Sequence, residues 1–453
     1  MVEKVLRKTG GAEKEADALR KRVLSADNGL NPKGHTYYVS QNGNDDNDGL
    51  SPENAFKSPD AIADLLLDAG DAVLFERGSI FRMEETFWMK GGVSYGAYGK
   101  GNKPAFYGSL KDYADPSLWK KVNDKDIWYT EIKTEGIKRA ACITFNDDTY
   151  VGVWQIDIDG LEKDGDYTHD TDKGIFYLYF EGGNPGEYFY NIEISTTDTA
   201  FLVKNAKDIN IDNITLKYFT RTGFLFGECD GISVTNCVVD WLGGAVYQYD
   251  ETRYPSRFGN AFETWYRSED VIVKNCWFNQ IFDAAVTFQG SGDGLACFDN
   301  IIFEDNLIEY CSMNIEYWVG TGAGADQAHI RDILYKGNIV RMSGYGWGGL
   351  QRCNKENQGS LLGWNRKYED LENFVISDCV LDCADGCMIY MWGPKEQKGI
   401  TLKNNTYYQI KTSGTHPWVQ TVRGYPNESN NQEEFEAAIA LFDEHPKLVK
   451  WLD

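Results

Sequence analysis

The chain has 453 residues, 42% hydrophobic and 14% aromatic, which supplies a large core and excludes an intrinsically disordered protein. Lys and Arg number 45 against 69 Asp and Glu, and the net charge of −24 repels nucleic acid, so no such partner is expected. No apolar run approaches the ~18 residues of a membrane span, so no membrane partner is expected either.

The opening residues, MVEKVLRKTGGAEKEADALRKR, are charged and lack the apolar centre of a secretory leader, which points to a cytoplasmic protein. The ten cysteines show no paired zinc spacing and read as buried thiols of a reducing compartment. With only five histidines, a histidine-rich metal centre is not expected. His169, His329 and His416 stand isolated in sequence and read as structural.

In chain order, residues 12–24 predict a helix with Ala16, Leu19 and Val23 on one stripe. A strand follows at 37–39, then a polar turn at 42–49. That turn has the composition of a calcium loop but lacks the later glutamate of an EF-hand, and Asx residues with glycine are ordinary turn formers. A structural calcium there is the one metal the sequence suggests; no other cofactor is expected. Ser58 and Pro59 predict the start of a second helix carrying Ile62, Leu65 and Leu66. The strand at 72–75 begins an all-β stretch, whose part over 85–200 is irregular and reads as early coils with long excursions.

From about residue 200 one pattern recurs: a short apolar alternation, then an anchor residue. The anchors are Asn213, Asn236, Asn275, Asp305, Gly337, Asp378 and Asn404, spaced 23 to 41 residues apart. The short spacings suit one coil of a β-solenoid and the long ones suit coils with inserted loops. The residue after each anchor is Ile, Cys, Cys, Asn, Asn, Cys and Asn, which predicts stacked ladders inside the coil. Helices are expected to cover the open sheet edges, with residues 432–442 closing the second end. The organisation expected is an N-terminal arm with capping helices over 1–70, a parallel β-helix over 71–430 and a capping helix over 431–453.

Several stretches carry a family resemblance. They are Tyr37-Tyr38-Val39-Ser40, Asp48-Gly49-Leu50-Ser51-Pro52, Val73-Leu74-Phe75-Glu76-Arg77-Gly78, Asn184-Pro185-Gly186-Glu187-Tyr188 and Gly344-Tyr345-Gly346-Trp347-Gly348. The chain resembles bacterial right-handed parallel β-helix proteins of carbohydrate metabolism, among them β-xylosidase-like glycoside hydrolases and polysaccharide lyases. The resemblance covers most of the chain and implies the fold and a broad class. It leaves the reaction open, because hydrolases and lyases share this scaffold.

Cleaving a glycosidic bond by hydrolysis usually takes two carboxyl groups. Three carboxylates stand beside aromatic or apolar residues on or next to predicted strands: Glu263, Asp283 and Glu316. Neighbours on a strand face opposite sides, so Glu263 and Glu316 point outwards if Phe262 and Ile315 point into the core. In the β-xylosidases that the chain resembles, catalytic carboxylates also directly follow an inward apolar residue. Each of the three can equally be a solvated strand residue or, for Asp283, a turn cap. Trp265, Trp318, Trp347 and Trp392 lie at strand segments, where indoles can stack on sugar faces or cover loops. Gln289, Gln351 and Arg352 are candidates for binding hydroxyl groups, Arg352 also for an acidic sugar. The loop 250–260, with Arg253, Tyr254 and Arg257, is long enough to wall a cleft.

The sequence thus predicts a glycoside hydrolase acting on oligosaccharides, with inversion of configuration. A polysaccharide lyase on uronate glycans and a non-catalytic sugar-binding solenoid are the rival readings. The oligomeric state is not readable.

Overall fold

The computed structural model describes residues 2–452 except 6, 123–124, 135–138, 251–252, 291–295, 320–327, 353–358, 366–370, 393–398, 412–417, 421–425 and 444. The chain forms a right-handed parallel β-helix whose coils have three sheet faces. One coil shows the plan: Phe262–Lys274 supplies the first two faces in a single bent strand, and Trp277–Ile281 supplies the third. The next coil uses Ala284–Gly290, Ala296–Glu304 and Leu307–Glu309, and the one after uses Met313–Val319, Ala328–Lys336 and Ile339–Ser343. Each strand pairs in parallel with its counterpart one coil on.

The repeated anchors mark the corner between the second and third faces. All seven are left-handed, with φ between 51° and 66°. Asn, Asp and Gly tolerate that conformation best, which explains why only these types recur. The bend turns the next residue inwards, and Ile214, Cys237, Cys276, Asn306, Asn338, Cys379 and Asn405 are all fully buried. Their polar groups bond up and down the stack. The Cys276 amide donates to Asn306 Oδ1 at 2.9 Å, the Asn306 amide to Asn338 Oδ1 at 2.9 Å, and the Cys379 amide to Asn405 Oδ1 at 2.9 Å. The predicted internal ladder is therefore present, and it satisfies polar groups that burial would otherwise penalise.

The ends differ from expectation. The helix Glu13–Leu24 buries Ala16, Leu19 and Val23 as predicted, yet it does not cap the solenoid. It lies along the third face against Val238, Leu307 and Ile339. The reason is a column of charged residues facing outward there, which needs partners once covered. Arg20 reaches Glu309 at 2.8 Å, Glu13 pairs with Arg341, and the Gly11 amide bonds Asp382 at 2.8 Å. Phe56 and Ile62 join the main core instead, with Leu65 and Leu67 packed against it near the first coil. The predicted second helix is only the 3-10 turn Pro59–Ile62. Leu66 is 92% exposed between two inward leucines, an alternation of period two that no helix face matches.

At the other end, Gln432–Ile439 buries Phe435, Ala438 and Ile439 against the core, as expected of a cap. Leu448–Leu452 then returns as a strand parallel to Thr406–Ile410, so 431–453 is a helix plus a last rung rather than a helix alone.

The irregular region contains an antiparallel excursion. Its strands Ile127–Glu131, Asp166–Asp170 and Ile175–Tyr179 pair with one another, and Phe145, Tyr167, Phe176 and Ile192 belong to a separate core. In the turn 42–49, Asp45 accepts the amides of Lys57 and Ser58, and Asp48 accepts that of Leu50. These side chains act as turn acceptors. The nine described cysteines form no disulfide with one another, and eight of them are buried; Cys353 and His416 lie outside the described residues. His169 is buried, accepting the Ala140 amide at Nδ1, and His329 pairs with Asp299. Among the described residues no helix is long and apolar enough to cross a membrane.

Candidate active site

The first face positions the site. Phe262, Val286 and Ile315 point into the core and are at most 2% exposed, so the next residue of each strand points out. Register makes those outward residues one column: Glu263 lies opposite Thr287, and Thr287 opposite Glu316. The column two residues further along reads Trp265, Gln289, Trp318. The structure therefore brings together five of the sequence candidates on three successive rungs.

Although they face away from the core, Glu263 and Glu316 are only 4% and 6% exposed. Walls rise on both sides. One is the antiparallel hairpin of Ala245–Asp250 and Arg253–Phe258, where the sequence predicted a walling loop. The other follows the short helix Trp347–Gln351, after which Arg352 reaches over to pair with Asp283. Between them is a cleft of about 510 Å³, within the usual size of a small-ligand site. Its lining includes Glu263, Asp283, Glu316, Trp265, Trp318, Gln289 and Arg352.

Hydrogen bonding differentiates the two glutamates. Glu316 Oε2 accepts from Thr287 Oγ1 at 3.0 Å and from Gln289 Nε2 at 2.9 Å. Glu263 accepts from the Trp265 indole on Oε1 and from Thr222 Oγ1 on Oε2 at 3.1 Å. Burial pushes the Glu316 carboxyl up to about 8, and the Asp283 and Glu263 charges add to that; Thr287 and Arg352 oppose it. Burial also raises Glu263, while its hydrogen bond from Trp265 and the charge of Arg221 hold it back. A buried carboxyl whose proton affinity is raised this far, with two further carboxyl groups lining the same cleft, is an arrangement suited to general acid–base work.

Two candidates are elsewhere. Trp347 is 1% exposed, stacked on Trp241 at 6.3 Å and tilted against Phe282 at 4.9 Å, so it cannot meet a sugar face. Gln351 is turned towards the antiparallel excursion, donating to the Gly152 carbonyl at 2.6 Å and accepting the Trp154 amide and Arg257. Both positions follow from packing of the walling helix, which puts only its last edge at the cleft. The Trp392 side chain lies outside the described residues.

Phe258 and Asn260 line the cleft from the segment 250–260 that the sequence predicted to wall it, whereas Arg221, Thr222 and Met313 were not singled out. Met313 begins the strand that carries Glu316 and was recoverable from that adjacency. Thr222 and Arg221 precede a strand one coil earlier, and only the register of Phe224 opposite Phe262 brings them to Glu263.

No family model matches the chain, and no curated protein matches it. Solved structures of similar shape include a complex of XylC with xylose, at 11% identity, covering 85% of this chain and 68% of that one, with a TM-score of 0.45. A GH136 lacto-N-biosidase from Eubacterium ramulus is 14% identical over 97% of this chain and 68% of its own, with a TM-score of 0.41. A polygalacturonase from Erwinia carotovora is 10% identical over 88% of this chain and all of its own, with a TM-score of 0.38. At these values the functional reading rests on the geometry of the cleft itself.

Proposed function

We propose that the protein is a glycoside hydrolase acting on oligosaccharides with inversion of configuration. The observation that carries this is the column Glu263–Thr287–Glu316, two buried carboxyl groups facing one cleft from rungs two apart. Glu316 is the general acid. Both of its side-chain donors reach Oε2, so Oε1 carries the proton towards the glycosidic oxygen that leaves. Glu263 is the general base that draws a proton from the attacking water on the opposite face of the sugar. Asp283, held by Arg352, raises the proton affinity of Glu316. Trp265 and Trp318 line the cleft from the neighbouring column, two residues further along than the carboxylates, where aromatic rings are a common way to hold pyranose rings.

The acidic lining supports hydrolysis over elimination. A lyase must neutralise a uronate carboxylate before abstracting the neighbouring proton. Here the Arg352 guanidinium is already paired with Asp283, and three carboxyl groups surround the space. Incubation with neutral and with uronate-containing oligosaccharides tests the reading. New reducing ends from neutral substrates support it. Unsaturated uronates would replace it with the lyase, and binding without products with the sugar-binding solenoid.

A further inference from the structure

The sequence Gly344-Tyr345-Gly346-Trp347-Gly348-Gly349 has no place in the cleft lining, yet its geometry is demanding. A Cβ on Gly346 would lie 1.8 Å from the Tyr310 carbonyl oxygen, and one on Gly348 would lie 2.6 Å from that of Phe282. On Gly349 it would meet the Gly344 carbonyl oxygen at 1.8 Å. The segment is thus pressed onto the solenoid, and these three positions admit only glycine. Trp347 fastens it. Its amide donates to Gln280 Oε1 at 2.9 Å, and its indole N–H donates to the Gln280 carbonyl at 2.8 Å. Gln280 is itself 3% exposed and sits at a corner with φ 53°. The ring is packed between Trp241 and Phe282, the residue immediately before Asp283. One turn later the Arg352 amide bonds the Gly348 carbonyl at 2.8 Å, and the Arg352 guanidinium meets Asp283.

We infer that Trp347 is a positioning residue for the candidate acid: by locking its helix to Gln280 and Phe282, it holds Arg352 on Asp283 and so controls the charge that Glu316 faces. This rests on the reading of Glu316 as general acid. The groups that face Glu316 are Asp283 from the turn before its neighbouring strand, Arg352 from the wall, Glu263 from two rungs away and Tyr335 from the core side. Arg352 is the cation among the named influences on Glu316, and it opposes the rest. If Trp347 no longer fixes the helix, Arg352 drifts from Asp283, the negative charge facing Glu316 grows, and its proton is held more tightly.

The test compares Trp347→Phe, Arg352→Gln and the double variant. Trp347→Phe keeps a ring in the pocket but loses the indole bond and part of the packing against Trp241. It is expected to leave KM for a neutral oligosaccharide unchanged, and to move the alkaline limb of kcat upward by about half a pH unit or more. Arg352→Gln should move it in the same direction, and the double variant no further than Arg352→Gln alone. A limb that stays in place in Trp347→Phe, or shifts that add in full, would overturn the inference. Should Trp347→Phe unfold, Gln280→Met removes the side-chain partner of the Trp347 amide, and the same outcomes apply. Carbon-13 NMR titration of the glutamate carboxyls reads the coupling without turnover. If wild-type protein releases no reducing ends, the proposed hydrolysis fails; if the Glu316 titration nevertheless responds to Trp347→Phe, the positioning role stands.

Discussion

Glu263 and Glu316 occupy the same outward column of the first sheet, separated by the single rung that carries Thr287. Parallel rungs are about 4.8 Å apart, so their backbones are roughly 9–10 Å apart. Inverting glycosidases hold their carboxyl groups about 6.5–9.5 Å apart to admit a water, and retaining ones about 5–5.5 Å. Proton NMR of the first-formed anomer is therefore expected to show configuration opposite to the substrate's. A first product with the substrate's own configuration would require a closer pair, and would move the nucleophile to Asp283.

Glu316→Gln removes the proton that the leaving oxygen needs while keeping shape and the acceptor for Thr287. The variant is expected to fold normally and to lose about 10²- to 10⁴-fold in kcat. In wild type, the rate should decline as pH rises through about 8, where Glu316 loses its proton. Near-normal turnover by a folded Glu316→Gln would remove Glu316 from the catalytic set.

What was legible in the sequence followed from local chemistry. The αL corners showed as recurring Asn, Asp and Gly, and the outward glutamates showed through their inward neighbours Phe262 and Ile315. Trp347 was misread because a tryptophan next to glycines looks equally exposed or buried until its packing partner is known. The placement of the N-terminal helix was invisible for a similar reason. Its apolar stripe fits a solenoid end or a side, and only the stacked charges of Glu309, Arg341 and Asp382, far apart in sequence, decide for the side.

The same glutamate makes stability depend on pH. The folded protein holds the Glu316 proton up to about 8, whereas an unfolded chain releases it near the ordinary glutamate value of 4.5. Between those values the folded state binds more protons, so stability falls as pH rises. The contribution is fully present below about 4.5 and is lost as pH rises through about 8. Glu263, raised in the same direction, adds with the same sign. Urea midpoints at pH 5 and pH 8.5 should drop in wild type and drop clearly less in Glu316→Gln. Equal drops in both would mean that Glu316 titrates alike folded and unfolded.

The internal ladder carries its own prediction. Asn338 is fully buried and joins three coils. It donates to the Phe303 carbonyl at 2.8 Å and, more weakly, to Cys379 Sγ at 3.8 Å, and it accepts from both the amide and the side chain of Asn306. Asn338→Ala leaves the Phe303 carbonyl and the Asn306 amide buried without those partners. Each such group costs about 1–3 kcal/mol, so a loss of about 2–5 kcal/mol is expected. Asn210→Thr is the control, since Asn210 is exposed and its side chain bonds Ser94 only at 3.4 Å. That change should stay within about 0.5 kcal/mol. Urea unfolding followed by circular dichroism measures both. The two positions carry the same residue type on the same solenoid, so the contrast isolates burial within the stack, and equal midpoints would show that the ladder contributes nothing beyond filling space.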